Sequence, residues 1–466
     1  MYFKFQKELV QVFTILHNLC DERVQIYLVG GFLRDFFLGK ESKDLDFVIY
    51  PFSYEILENF TKIIRGKIFP LDEKRKYFRV VANLQSNNYV FDFTSLTRAN
   101  LLEEVKRRDF TINAIFLDLN NFRILDPLNG IQDIKEGKLR VCSKYSISED
   151  PLRILRAFRF VSNLGFKIIP DTEKHLIVNK KKLGKIKGER IHDEIYRILK
   201  GAFTKEIWFK MHDLSILEEI LPELTSLKDI PWNKPHHTNP LFHSLEALGK
   251  LEYIYYYLDQ IFPEKQKIIK DYLKEEVYSE FTKKELLKLA ILLHDIGKEK
   301  AFSIDEEGKV HYYGHENVGV LIIENISERL RFSKKEKELL KKLIKFHLYP
   351  AFILKDKKAN RFKLLNKLKE ETIGTILLFL GDQLSIKPVE EIISFSHEIL
   401  DLYLEKKEIK PIISGDEIMK YFSLKPSPLI GRLKGVLLQA QQEGLVNSKE
   451  DALKFLENVL KNEGDR

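Results

Sequence analysis

Between Ile26 and about Val141 the apolar residues fall in short runs, QIYLVGG, LDFVIY, YFRVVANL and YVFDFTSL, separated by polar and glycine-containing breaks. Runs of this length, rich in β-branched and aromatic residues, predict the strands of one sheet with a few helices between them. From Asp150 onward the period changes. Segments such as LRILRAFRFVSNL and ERIHDEIYRILKGAF repeat their apolar residues at helical spacing, and this continues to the C-terminus. The expectation is an α+β protein: a head with a small mixed sheet at 1–145, a helical neck at 146–230, a histidine-bearing helical segment at 231–400 and a helical tail at 401–466. Proline-containing breaks near Pro231 to Pro240 and near Pro411 mark the last two boundaries.

The opening MYFKFQKELVQVFTILHNL mixes charged with apolar residues at helical spacing, unlike the apolar core of a signal peptide, and no stretch is long enough to span a membrane. Over 466 residues, a hydrophobic fraction of 44% suffices for several packed domains and argues against extensive disorder. Cys20 and Cys142 stand far apart without CxxC spacing, which excludes a disulfide framework or thiolate zinc site and fits a reducing cytoplasm. The net charge of +8 suits a polyanionic partner without identifying one.

Candidate chemistry concentrates in three places. In LVGGFLRDFFLGKESKDLDFVIY a strand ends in Gly30 and Gly31, a helix follows with Arg34 and Asp35, and the next strand carries Asp44 and Asp46. Paired glycines allow a phosphate chain to approach the backbone, and Arg34 is placed to meet a phosphate oxygen. Residues two apart on a strand share a face, so Asp44 and Asp46 present two carboxylates suited to Mg²⁺, with Asp92 a third from a neighbouring strand. Such a cluster suits two-metal catalysis, in which an attacking hydroxyl is activated and a triphosphate neutralised. In EDPLRILRAFRF, Asp150, Arg153, Arg156 and Arg159 recur every three residues, predicting a polar stripe along one helix beside Leu152, Leu155 and Phe158. A carboxylate accepts from the exocyclic amine of cytosine or adenine and an arginine donates to their ring acceptors, so Asp150 and Arg153 form a candidate base-reading pair. Further on, His243, His294, Asp295, His315, His347 and Asp382 follow in an order that can gather imidazoles and carboxylates around one or two divalent ions.

These motifs resemble, in order, the bacterial-type tRNA nucleotidyltransferase and poly(A) polymerase family. GGFLRD is similar to the family's GGxxRD and DLD to its DxD. RRDFTINAI, with Arg107, Arg108, Asp109 and Asn113, is similar to RRDFTxNA, EDPLRILRAFRF to EDxxRxxRAxRF, and ERIHDEI, with Glu189 and Arg190, to ERIxxE. The resemblance covers nearly the whole chain. It implies template-independent addition of nucleotides to the 3′ end of tRNA, with nucleotide binding by Gly30, Gly31, Arg34, Arg107, Arg108, Asp109, Asn113, Asp150, Arg153, Arg156 and Arg159, and catalytic Asp44, Asp46 and Asp92. In the family the pair matching Asp150 and Arg153 admits CTP and ATP and rejects UTP and GTP. Only ANLLEEVK separates Arg98 from Arg107, where CCA-adding and A-adding members carry a longer flexible loop, so the resemblance points to CC addition from CTP. Full CCA addition or A addition is the alternative. The histidine series resembles the HD phosphohydrolase superfamily, implying a second metal site acting on phosphates or 2′,3′-cyclic phosphates. A further alternative makes that site the only enzyme, on an RNA-binding head. The tail resembles the family's C-terminal element, with Lys425, Arg432 and Lys434 as candidate tRNA phosphate contacts.

Overall fold

The computed structural model describes residues 5–96, 100–231, 238–356, 361–386 and 390–464. Arg98 and most of the break between Pro231 and Pro240 lie outside the described residues. The chain divides into two compact units at Pro222 and Glu223.

The first unit is organised by a seven-stranded mixed sheet made of β1 (Gln25–Val29), β2 (Asp44–Tyr50), β3 (Lys67–Asp72), β4 (Tyr77–Leu84), β5 (Asn87–Ser95), β6 (Phe116–Asp118) and β7 (Arg123–Leu125). The strand order is β3-β4-β5-β2-β1-β6-β7. Only β2 and β5 run parallel, and their register sets Asp46 beside Asp92, with Arg79 of β4 on the other side of Asp92. Alternation decides what each face does. Leu45 and Phe47 point into the core, where Phe47 stacks on Phe93 at 5.0 Å and Phe60 of the covering helix meets both Phe91 and Phe93 edge-on. Asp44 and Asp46 therefore emerge together on the opposite, exposed face.

Helices α1 (Lys7–Leu19), α2 (Gly31–Phe37), α3 (Tyr54–Ile63), α4 (Leu101–Arg107) and α5 (Gly130–Glu136) complete the head. Asn100 caps α4 by accepting from the Leu102 N–H, and Asp126 accepts from the backbone of Gly130 and Ile131 at 2.6 and 2.9 Å to start α5. The neck follows as α6 (Ser146–Glu149), α7 (Arg153–Leu164), α8 (Pro170–Asn179) and α9 (Gly188–Leu199), with α7 packed along α9. One expectation is corrected here. Asp150 does not share a helix with Arg153, Arg156 and Arg159: its backbone is extended, at φ −137 and ψ 96, and α7 begins only at Arg153. Pro151 is the reason, because its ring disfavours the helical region for the residue before it.

The second unit is a helical bundle in which Pro240–Tyr256, Lys283–Leu293 and Thr372–Ile386 pack on one another and His315–Leu330 packs on Lys334–Phe346. Lys288 and Glu252, both almost fully buried and 2.8 Å apart, join the first two of these helices. Two short hairpins, at Glu276–Thr282 and Ser303–His311, interrupt a segment whose pattern reads as helix alone. The tail helices Gly415–Phe422, Pro428–Gln442 and Lys449–Gly464 enclose a core of their own around Ile418, Leu437, Ala440, Ala452 and Leu456.

The tightest joint in the head is Gly130, where an added Cβ would lie 2.2 Å from the Thr111 carbonyl oxygen. Gly130→Ala is expected to cost about 1–3 kcal/mol, the range for overpacking against atoms that cannot rotate away. Thermal unfolding checks this, and an unchanged melting temperature would show that α5 shifts freely.

Candidate active site and metal centre

The head site is assembled by the turn from β1 into α2. Gly30 adopts φ +81, and a Cβ there would stand 3.0 Å from the Asp46 Oδ2 and 3.6 Å from the Arg108 Nη1. Glycine thus lets the turn close over Asp46. The side-chain carboxylates of Asp44 and Asp46 accept no hydrogen bond and form no ion pair among the described residues, although Arg108 acts on Asp46 electrostatically. Asp46 is open to solvent, yet the surrounding protein removes part of its hydration. Its pKa is raised by that desolvation first, with Asp92 and Asp44 adding to the rise and Arg108 opposing it.

Asp92, the candidate third carboxylate, stands on the neighbouring strand and is engaged by two side chains. Arg79 donates to both its oxygens at 2.8 Å, and the Tyr77 hydroxyl donates at 2.9 Å. It is the anchor of a hydrogen-bonded trio beside Asp46. Asp44 and Asp46, whose carboxylate oxygens are acceptor-only and have no other partner among the described residues, fit a hard cation.

Next to these carboxylates opens a cavity of about 890 Å³ lined by Arg75, Arg107, Arg108, Asp109, Asp150, Arg153, Arg156 and Arg190, with Glu104, Glu149 and Ile186. Asp109 is 5% exposed; its Oδ2 pairs with Arg156 at 2.6 Å, while its Oδ1 accepts from the Phe110 N–H and the Asn113 amide. Burial opposes this ionisation, but Arg156, Asn113 and Phe110 outweigh it and hold Asp109 down to about 2. Arg34 chelates Asp35 and donates to the Asn113 Oδ1 at 2.8 Å, so its role here is to brace the motif. Arg159 does not line the cavity. It pairs with the buried Glu194 of α9 at 2.9 Å and ties α7 to α9.

Asp150 and Arg153 both line the cavity but do not pair with each other. Asp150 pairs with Arg190 at 2.8 Å. The Arg153 guanidinium is spread over the carbonyls of Arg107 at 2.5 Å, Ser146 at 2.9 Å and Arg108 at 3.4 Å.

In the second unit the six expected ligands converge, all buried. His243, His294 and Asp382 bring ligand atoms within 4.8 Å of one another, and Asp295, His315 and His347 do the same. Asp295 links the sets: its Oδ2 is 3.3 Å from the His294 Nε2 and its Oδ1 is 3.3 Å from the His315 Nε2. The Nδ1 atoms of His294, His315 and His347 are engaged by the carbonyls of Ile291, Tyr312 and Ile344, and that of His243 by Ser385, which turns each Nε2 inward. Burial works against charge here, but His294 and Lys298 outweigh it and hold Asp295 well below the usual carboxylate range. His294 is raised to about 10 by Asp295 and Asp382 despite its burial, whereas burial, with His294 and His315, pushes His347 down to about 3. Two buried carboxylates thus call for positive charge at the centre, and inward imidazole and carboxylate donors fit a divalent ion there.

Comparison with known proteins matches this geometry. The description "Poly A polymerase head domain" matches residues 26–140, "Probable RNA and SrmB- binding site of polymerase A" matches 165–228, and "HD domain" matches 243–386. The multifunctional CCA protein of Mannheimia succiniciproducens is 31% identical over 363 residues, 74% of this chain and 79% of that one. The chain belongs to the tRNA nucleotidyltransferase and poly(A) polymerase family. This nucleotidyltransferase is also 29% identical to the A-adding enzyme of Deinococcus radiodurans, over 92% of this chain and 94% of that one, and 28% identical to the CC-adding enzyme of Thermus thermophilus, over 92% of each. The Thermotoga maritima CCA-adding enzyme solved with tRNA shares its fold, with a TM-score of 0.67 at 21% identity over 98% of this chain and 96% of that one.

Several residues of the two centres of this nucleotidyltransferase escape a reading of its motifs. Arg79 could be suspected, being a charge inside the apolar alternation YFRVVANL. Lys298, which donates to the Asp295 Oδ2 at 2.6 Å, follows it by three residues in HDIGK, a spacing that pairs charges. The partnership of Arg190 with Asp150 spans 40 residues and has no local signal. Lys425, Arg432 and Lys434 are exposed on the tail.

Because Asp295 serves both ligand sets, Asp295→Ala is expected to abolish divalent-ion binding by the second unit, whereas His347→Ala, touching one set, weakens it less. Calorimetric titration with Mn²⁺ or Ni²⁺ measures both, and undiminished binding in Asp295→Ala would refute the shared-ligand arrangement.

Proposed function

We propose that this chain adds cytidylate residues from CTP to the 3′ end of immature tRNA and stops after two. The head, neck, HD segment and tail divide at 1–145, 146–230, 231–400 and 401–466, a division supported by the matched segments falling inside those bounds. The observation that carries the cytidine reading is the short link in which only ANLLEEVK separates Arg98 from Arg107. The curated relatives include A-adding and CC-adding enzymes at nearly equal identity, so the link, and not overall likeness, is the discriminating feature. Addition of CCA or of A alone is the competing reading.

In this proposal Asp44 and Asp46 hold Mg²⁺, which when bound supplies neutralisation of the triphosphate and activation of the terminal hydroxyl. The protein's own part is placement. Arg108, beside Asp46 and fixed by Glu104 at 3.2 Å, offers charge to the phosphates at the cavity floor. Asp109 holds Arg156 against the cavity wall. Asp150 accepts from the exocyclic amine shared by cytosine and adenine, an edge that uracil and guanine present reversed. Exposed Lys181, Lys182, Lys185 and Lys187 adjoin Ile186 at the cavity and suit the tRNA phosphates, as Lys425, Arg432 and Lys434 do on the tail. No helix among the described residues is long and apolar enough to cross a membrane, in keeping with work in the cytoplasm. The buried His and Asp cluster favours a second activity, hydrolysis of phosphates or 2′,3′-cyclic phosphates.

Asp44→Ala and Asp46→Ala are each expected to lower nucleotide incorporation by at least about 10³-fold, in line with loss of a metal's charge stabilisation, while tRNA affinity stays within twofold. Turnover surviving in both variants removes the catalytic assignment. His294→Ala is expected to eliminate phosphohydrolase activity and spare incorporation.

The stopping point is tested with labelled CTP or ATP and tRNAs ending before the first C, after C and after CC. The first two substrates are expected to accept cytidylate and the third to accept nothing. Efficient AMP addition to the third would replace CC addition with the competing reading.

A further inference from the structure

We propose that Arg190 is a positioning residue that sets nucleotide selectivity by fixing the Asp150 carboxylate. The inference rests on the proposed reading of Asp150 as the group that meets the base.

Asp150 stands between α6 and α7 on extended backbone, outside any helix that would restrict its side chain. Two contacts define its orientation. Its Oδ1 accepts from the Leu152 N–H at 3.2 Å, and its Oδ2 accepts from the Arg190 Nη2 at 2.8 Å. A carboxylate has about four lone-pair positions, so two remain for a ligand. Asp150 and Arg190 line the same cavity. The Leu152 contact is local and long, whereas Arg190 is anchored in α9 and makes the short, charge-assisted bond. Arg153 does not perform this task, since its guanidinium is committed to the carbonyls of Arg107, Arg108 and Ser146. Without Arg190 the carboxylate can rotate, and its acceptor no longer stands at one place against the base edge. Selectivity between donor and acceptor edges depends on that placement, because a site built for a donor rejects its absence only while its own polar groups are held in position.

The test measures kcat/KM for CTP and UTP on tRNA lacking its CCA end, in the wild type, Arg190→Gln, Arg190→Lys, Asp150→Ala and the Arg190→Gln/Asp150→Ala double variant, with melting temperature and tRNA Kd alongside. Arg190→Gln is expected to reduce the CTP to UTP ratio roughly tenfold, a typical worth for one misplaced polar contact, without changing tRNA Kd. Arg190→Lys, which keeps the charge but not the fork, is expected to lose less in the same direction, and it carries the test if Arg190→Gln fails to fold. The double variant is expected to discriminate no worse than Asp150→Ala, because two residues acting through one contact are not additive. A ratio within twofold of wild type in both Arg190 variants overturns the inference. So does an equal loss for both nucleotides with weakened tRNA binding, which would place Arg190 on the RNA, and so does additivity in the double variant. If Asp150→Ala itself keeps full discrimination, base reading at Asp150 is what fails.

Discussion

The pair formed by buried Asp109 and half-buried Arg156 is the constraint on which the first unit depends. Loss of Arg156 would strand the Asp109 carboxylate in the interior, although water reaching the guanidinium makes the cost smaller than for a fully buried pair. Here more than two residues are at stake. Asp109 also receives the Phe110 N–H and the Asn113 amide, and Asn113 in turn receives Arg34 from the helix that follows the paired glycines. One carboxylate therefore ties the glycine turn, the RRD segment and the neck helix α7 into a single wall. Arg153 and Arg156 of α7 line the cavity together with Arg108 and Asp109 of that wall. Arg159 and Glu194 repeat the device one layer out, joining α7 to α9.

Much of this was legible in the sequence because it is local. A two-residue period writes Asp44 and Asp46 onto one face of a strand, and the change of period near Asp150 marks where sheet gives way to helix. The histidine series was legible for another reason: six ligand-type residues in a fixed order is a pattern that packing alone does not require. What could not be read is long-range pairing. That Asp92 is held by Arg79 and Tyr77 follows from the register of β4 against β5, which a hydrophobic pattern does not specify to the residue. The stripe expected from Asp150 to Arg159 failed at its first member through a local rule, since proline at 151 holds Asp150 out of the helix.

The two candidate centres solve opposite electrostatic problems. In the head, acceptor-only carboxylates are left open to solvent, with arginines massed around them, so charge is arranged for a polyanionic ligand that arrives from outside. In the second unit the ligands are buried, every imidazole is oriented by a backbone carbonyl or a hydroxyl, and Lys298 supplies a fixed cation beside Asp295. Such a centre is preorganised by its own bundle, with Lys288 and Glu252 holding in register the helices that carry His243 and His294. Neither centre borrows a residue from the other among those described above.

The short link before α4 acquires a physical meaning from Arg153. The guanidinium is held by the carbonyls of Arg107 and Arg108, at the C-terminal end of α4, where unsatisfied carbonyls and the helix dipole favour a cation. Whatever fixes α4 therefore helps to fix Arg153, which the Ser146 carbonyl of α6 also holds. Asn100 caps the other end of the same helix by accepting from the Leu102 N–H, which holds its first turn. A longer connection would let α4 shift or tilt and would carry Arg153 with it, changing the shape of the cavity without altering any residue that lines it. On the proposed reading, selectivity for cytosine over the larger adenine then depends on how firmly Arg153 is held, by a capped helix whose C-terminal carbonyls it meets and by the Ser146 carbonyl beside them.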